Sequence, residues 1–181
     1  MESLQDINPV SVRVLTPADA VAYRSVRLRA LHEQPPAFGS LPEVEPNLSE
    51  TAARLAEIDE HCFFGAFQGE QLIGIIRLSR YLAPNEKHRA YLAGLYVLPS
   101  FRCHGCGRAL VREVLSRAAN APGIRRVNLT VVTQQEAAIR LYQSFRFRTY
   151  GTEPETFSKD GQFYDEHLMT LELNSGNDRS A

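Results

Sequence analysis

The stretch LYVLPSFRCHGCGRAL, Leu95–Leu110, decides how the rest of the chain is read. Leu95 to Leu98 suit a strand, Pro99 ends it, and an apolar helical stripe begins at Leu110. The loop between them admits two chemistries. Cys103-His104-Gly105-Cys106 has the spacing of a thiol redox pair or of half a zinc site. The same residues also spell Arg102-x-x-Gly105-x-Gly107 ahead of a helix. Unpaired amides and the positive end of the helix dipole then offer a seat for phosphate. Gly105 and Gly107 would let an anion approach the backbone, and Arg102 and Arg108 add charge.

A closed zinc site needs four ligands. The third cysteine, Cys62, lies in an apolar run, and His32, His61, His88 and His167 are scattered. A redox pair would use Cys103 near a helix start, but it gives Arg102 and the two glycines nothing to do. The phosphate reading uses more of the residues, although an ordinary flexible loop would also carry glycines. Neither the Gly-Lys-Ser/Thr of a P-loop nor a first-strand Gly-x-Gly-x-x-Gly is present.

Working outward, Leu110, Val111, Val114, Leu115 and Ala118 form one stripe of a helix from Gly105 to Ala121, stopped by Pro122-Gly123. Arg89 to Leu98 is the preceding strand, and Gly94 within it signals a bulge or a close backbone approach. Cys62 to Phe67 and Gln71 to Ser79 form a hairpin across Gln68-Gly69-Glu70. Val10 to Leu15 reads as a first strand. A helix follows from Thr16 (N-cap) and Pro17 to about His32, burying Val21, Leu28 and Leu31, and Pro35-Pro36 stops it. Ala37 to Leu48 reads as a long loop. A helix from Ser49 to Asp59 carries Ala52, Leu55 and Ala56. Downstream, Val127, Leu129 and Val131 mark a strand, and Ala138, Leu141, Tyr142 and Phe145 a helix. Phe147 to Thr152 and Gln162 to Leu173 are the last strands, turned at Lys159-Asp160-Gly161. The order is β-α-α-β-β-β-α-β-α-β-β. It makes one α+β domain over residues 1–173, with a polar tail over 174–181.

The chain has 181 residues, 44% hydrophobic and 23% charged, with a net charge of −1. That balance carries no electrostatic footprint for nucleic acid. No apolar run nears the roughly 20 residues of a membrane span, and the N-terminus lacks a signal-peptide layout. Three cysteines form no disulfide framework, which suits a reducing, cytoplasmic setting. No membrane or nucleic-acid partner is expected.

Two blocks together resemble the GNAT superfamily of acyl-CoA-dependent N-acetyltransferases. The first is Leu95-Tyr96-Val97-Leu98-Pro99 with Arg102-x-x-Gly105-x-Gly107 and Ala109-Leu110, similar to that family's strand, Arg/Gln-x-x-Gly-x-Gly/Ala loop and helix. The second is Leu129-Thr130-Val131 followed by Gln135-x-x-Ala138-Ile139-x-Leu141-Tyr142, similar to its Asn-x-x-Ala-x-x-Leu-Tyr helix. The resemblance implies a mixed, mostly antiparallel sheet of about six to seven strands flanked by about four helices. It also implies acetyl-CoA as cosubstrate and no metal. The acceptor would be a small-molecule or peptide primary amine, attacking the thioester directly through a tetrahedral intermediate. Homodimerisation is a family habit.

By the same resemblance, the backbone of Leu95, Tyr96 and Val97 would bond the pantetheine arm. Arg102, Cys103, His104, Gly105, Cys106, Gly107 and Arg108 would hold the pyrophosphate, and Tyr142 would protonate the departing thiolate. The bland alternative for Tyr142 is a core aromatic on its helix stripe. Gln135 stands where the family has Asn, and Arg146-Phe147 where it has Gly-Phe, which implies a different helix end, since Arg pays a cost for positive φ that Gly does not. The amine must lose a proton, which calls for a base or a water chain. The strand Arg89 to Leu98 holds no carboxylate. The candidates are therefore Glu43, Glu45, His88, Asp165 and Glu166, each of which also reads as a solvated charge. Two competing classes are an acyl-CoA-binding module without turnover and a redox or zinc protein built on Cys103 and Cys106.

Overall fold

Residues 9–33 and 40–173 are described by the structure, a computed structural model. Pro35-Pro36, the start of the following loop and the 174–181 tail lie outside them. The elements follow the expected order: β1 (Ser11–Val14), α1 (Ala20–Glu33), α2 (Leu48–Ala56), β2 (His61–Gln68), β3 (Gln71–Arg80), β4 (Arg89–Val97), α3 (Cys106–Asn120), β5 (Arg126–Val132), α4 (Glu136–Ser144), β6 (Arg148–Lys159) and β7 (Gln162–Glu172). They build one seven-stranded sheet in the order β1-β2-β3-β4-β5-β7-β6. Every neighbouring pair is antiparallel except β4 and β5. The four helices and the mixed sheet are the fold the resemblance implied.

Local chemistry sets the element boundaries. Pro17–Asp19 forms a 3-10 turn leading into α1, and the Asp19 carboxylate accepts the Thr16 N–H at 2.8 Å. Helix α2 starts one residue before its expected position. Asn47 accepts the Glu50 N–H while the Glu50 carboxylate accepts the Asn47 N–H, a reciprocal cap. Val21 is 67% exposed and Ala56 is exposed, both against expectation. Helix α1 instead buries Ala20, Val26, Ala30 and Leu31.

Strand β6 runs seven residues beyond its expected end. Asp160 and Gly161 both take positive φ (50° and 78°), a backbone that closes a two-residue hairpin with the strands' own twist. Pro154 survives because β6 is the sheet edge and a register shift between Glu153 and Phe157 absorbs it.

The core lies on both faces of the sheet. Leu92, Leu110, Val111 and Val114 are buried with α3 on one face, and Leu31, Leu55 and Ile75 under α1 and α2 on the other. Gly74 lets α3 settle onto β3. A methyl there would stand 3.1 Å from Leu110 Cδ1 and 3.2 Å from Cys106 Sγ. No helix among the described residues is long and apolar enough to cross a membrane.

Candidate active site

Strands β4 and β5 pair only over Arg89–Tyr91 and Arg126–Asn128. Beyond that point they separate, and the sheet opens into a V. Gly94 (φ 68°) and Leu95 together oppose Ile76 alone, so the expected bulge sits at the start of the opening. The Tyr91 hydroxyl bridges the root of the V. It accepts the Thr130 N–H at 3.1 Å and bonds Thr130 Oγ1 at 2.7 Å.

A groove of about 510 Å³ fills the V, lined by Leu92 to Val97, Arg102, Cys103, Gly105 to Arg108, Thr130 to Val132, Gln135 and the α4 face carrying Leu141 and Tyr142. Leu98 N–H donates to Ile73 O. Peptide direction alternates along a ladder, so the peptide groups of Tyr96 turn to β3 while those of Val97 turn to the groove. Tyr96 therefore offers no backbone bond to a groove ligand, and its hydroxyl donates to Glu33 at the end of α1.

Gly105 (φ 81°) caps the start of α3, and the first helical bond is Ala109 N–H to Gly105 O. The amides of Cys106, Gly107 and Arg108 precede that bond and have no partner within the helix. Gly105 faces open space, and Gly107 sits where a methyl would lie 3.4 Å from Leu141. The loop thus presents bare amides beside the groove.

Arg102 is not the free cation the sequence suggested. Its Nε donates to Val97 O at 2.9 Å, its guanidinium carbon lies 5.4 Å from the Tyr96 ring centroid, and its Nη2 is 3.7 Å from Glu33. It fastens the loop to β4 and α1. Arg108 lies over the Phe145 ring at 5.4 Å. His104 is exposed and does not line the groove.

The two loop cysteines part company. Cys103 is exposed at φ 64°, whereas Cys106 is 2% exposed against Gly74, and burial pushes its thiol up to about 11. Among the described residues, the single cluster of potential metal ligands is Glu57, Glu60 and His61, which includes neither cysteine.

Tyr142 is 6% exposed, packs edge-on against Phe147 with ring centroids 5.8 Å apart, and lines the groove. Burial, with a smaller contribution from Tyr91, holds its hydroxyl well above the ordinary phenol value. It keeps its proton at neutral pH. Below it α4 ends in a Schellman closure, with Phe147 N–H to Tyr142 O and Arg146 N–H to Gln143 O. Arg146 occupies the left-handed position at φ 70°, so the helix closes as it would with glycine there, against the expectation of a different end. Gln135 lines the groove, and its side chain makes no hydrogen bond among the described residues.

A second cavity of about 220 Å³ lies on the α1–α2 side of β4, with Tyr23, Arg27, Glu45, Arg54, Phe63, Arg77, Tyr91 and Glu166 in its wall. Leu92, Ala93, Gly94 and Thr130 line both spaces, so cavity and groove meet at the opening of the V.

The expected bases separate here. Glu166 lines the cavity, and burial raises its carboxyl above the usual 4.5, with Glu153 adding to the rise and a hydrogen bond from Thr130 opposing it. Glu45 also lines the cavity but is paired with Arg27 at 3.0 Å. Glu43 is exposed and faces an outer pocket instead. Asp165 accepts the Glu155 N–H at 2.9 Å and is exposed. His88 precedes the closed end of the β4–β5 pair, six residues and about 20 Å of strand from Gly94. Neither Glu43, Asp165 nor His88 reaches the junction. Arg77 and Tyr91 were not anticipated, since inside β3 and β4 they read as ordinary strand residues.

Comparison with known proteins agrees with this architecture. The sequence model of the Acetyltransferase (GNAT) family matches residues 27–147. The chain is 24% identical over 143 residues to the L-amino acid N-acetyltransferase AaaT of Escherichia coli, covering 78% of this chain and 88% of that protein. It is 31% identical over 112 residues to an uncharacterised protein of Mycobacterium leprae, where the match spans 62% of this chain but only 29% of that protein. The fold superposes on yncA of Salmonella typhimurium, solved with its cofactor acetyl-CoA, with a TM-score of 0.81 at 19% identity, covering 96% and 99% of the two chains.

Proposed function

The chain belongs to the GNAT family of acetyltransferases, and from that premise we propose that it moves an acetyl group from acetyl-CoA to a primary amine by direct attack. The observation that carries this reading is the junction of groove and cavity at Leu92 to Gly94 and Thr130, with Tyr142 in one and Glu166 in the other. The name of the Escherichia coli relative supports a free amino group as the acceptor.

The groove suits the cosubstrate. The pantetheine arm would lie along β4 as an added strand, taking the groove-facing peptide groups of Leu95 and Val97. The Val97 carbonyl is already held by Arg102, which leaves its N–H for the arm. The pyrophosphate would rest on the bare amides at the start of α3. The thioester then reaches the V beside Gly94.

Glu166 accepts a proton from the ammonium of the incoming acceptor, and the neutral amine attacks the thioester carbonyl. A C–N bond forms, the nitrogen of the tetrahedral intermediate gives up its second proton to water, and the C–S bond breaks as the intermediate collapses. Tyr142 donates its proton to the departing thiolate and recovers one from solvent. An acid placed at the leaving sulfur lowers the barrier by stabilising charge as it develops.

The test has two stages. Calorimetry should detect acetyl-CoA at micromolar concentrations, and an amine panel should release free CoA thiol. Tyr142→Phe should lower kcat roughly tenfold or more while leaving acetyl-CoA affinity nearly unchanged. An unchanged rate would leave Tyr142 as a core aromatic. Binding without thiol release from any amine would identify an acyl-CoA-binding module instead.

A further inference from the structure

The cavity beside the V holds more positive charge than proton transfer requires. Arg77 sits at the centre of β3, in register with Phe63 on β2 and Ala93 on β4, so its side chain rises beneath α1 and α2. Its Nε is buried without a hydrogen-bond partner among the described residues, and its guanidinium carbon lies 5.8 Å from the Phe63 ring centroid. Burial lowers its pKa, Arg27 and Arg54 push in the same direction, and Tyr23 and Glu45 oppose them. The Arg27 guanidinium holds Glu45 Oε1 through Nε at 3.2 Å and Nη2 at 3.0 Å, and Glu45 acts on Arg77 only through space, with no hydrogen bond between them among the described residues.

A partly desolvated guanidinium with no hydrogen-bonded anion is costly to a fold. This one faces a space that opens onto the reacting centre. Its planar fork of donors matches a carboxylate and can grip both oxygens at once. Arg77 pairs laterally with Ala93, next to Gly94, and adjacent strands stand about 4.8 Å apart. An anion held by Arg77 is therefore within a short molecule's reach of an amine at the V.

We propose that Arg77 anchors a carboxylate on the acceptor, so that the substrates are amino acids or other short amines bearing a carboxylate group, with the amine turned towards Glu166 and Gly94. This rests on the acetyl-transfer reading above and narrows it. A peptide N-terminus lacks that nearby carboxylate and would be a poor acceptor.

The experiment compares L-amino acids, each with its amide and its decarboxylated amine, by kcat/KM with acetyl-CoA. The wild type should favour the best amino acid over both analogues by about a hundredfold or more, as sites built around a polar group reject analogues lacking it. Arg77→Gln should remove most of that preference by lowering the amino-acid value and leaving the decarboxylated amine within about twofold. Arg77→Lys, which keeps the charge without the fork, should fall between. Equal turnover of the three forms by the wild type, or an equal loss on all three in Arg77→Gln, overturns the proposal.

A binding measurement separates the two readings and does not depend on any variant folding. The CoA-loaded wild type should bind the N-acetyl amino acid more tightly than the N-acetyl amino acid amide. If that preference holds while no amine is acetylated, the transfer reading fails and the anchor stands. If amines are acetylated without it, the anchor fails and transfer stands.

Discussion

The hydroxyl of Tyr91 on β4 stands 2.7 Å from Thr130 Oγ1 and 3.1 Å from the Thr130 N on β5, at the point where the one parallel pair of the sheet ends. A side chain there replaces the backbone acceptor that β4 would have supplied had the strands stayed together. The V is thus held open with its first exposed amide satisfied.

Tyr91→Phe removes that acceptor and leaves the Thr130 N–H to find water, while the Thr130 hydroxyl keeps Glu166 as its partner. The expected loss of stability is about 1–2 kcal/mol, read as a fall in Tm of several degrees by calorimetry. Acetyl-CoA affinity should weaken as well, because the wall of the groove loses its brace. Unchanged stability and affinity together would show that the V holds its shape without the tyrosine.

Cys103 is the thiol to modify. It is exposed on the groove wall, whereas Cys106 and Cys62 are buried and burial raises both their thiols. A maleimide should label Cys103 first and inhibit turnover, acetyl-CoA should slow the labelling, and Cys103→Gly should be insensitive. Peptide mapping by mass spectrometry checks the site. Labelling that acetyl-CoA does not slow would count against seating the cosubstrate on this loop.

Arg146 occupies a left-handed position that closes α4. Such a conformation costs a side-chain-bearing residue roughly 1 kcal/mol, part of which glycine's freedom in the unfolded chain takes back. Arg146→Gly should therefore gain about 0.5 kcal/mol and raise Tm by about 1–2 °C. A drop in Tm would mean that the arginine side chain contributes more than its backbone costs.

Glu166 sets the expected pH response. Its carboxyl is raised above 4.5 by burial, so as a base it ionises only above that value. The acid limb of kcat/KM should lie higher in pH than an exposed glutamate would place it, and Glu166→Gln should lower the plateau and erase the limb. Stability moves the other way. A raised carboxyl favours the fold while protonated, and that contribution is lost as pH rises through its folded pKa. Glu166→Gln should thus be more stable than wild type near pH 8 and show no such gain near pH 4. A variant curve parallel to wild type across this range would remove the burial argument.

Much of the fold was legible because apolar spacing and turn residues are local. The stripe from Leu110 to Ala118 and the Gly94 bulge follow from patterns a few residues long, whereas the left-handed Arg146 went against the residue-level expectation. The bases were harder. Glu43, His88 and Asp165 carry suitable groups, yet their distance from the V depends on how far apart β4, β7 and the α1–α2 loop come to lie. Arg77 was invisible for the same reason. A charged residue in a strand normally turns to solvent, and this one turns under two helices packed across the sheet.

The LYVLP strand and the Arg102-x-x-Gly105-x-Gly107 loop determined, from residue chemistry alone, a strand, a turn and a helix start with bare amides. That outcome needs only short-range sterics and unsatisfied N–H groups. Tertiary structure decided which groups were already taken. Arg102 is spent on Val97 and Glu33, Cys106 at the start of α3 packs against Gly74, and the Arg77 Nε is left without a hydrogen-bond partner among the described residues. Those outcomes depend on which surfaces meet when the sheet and helices close, and long-range packing of that kind leaves no periodic trace along the chain.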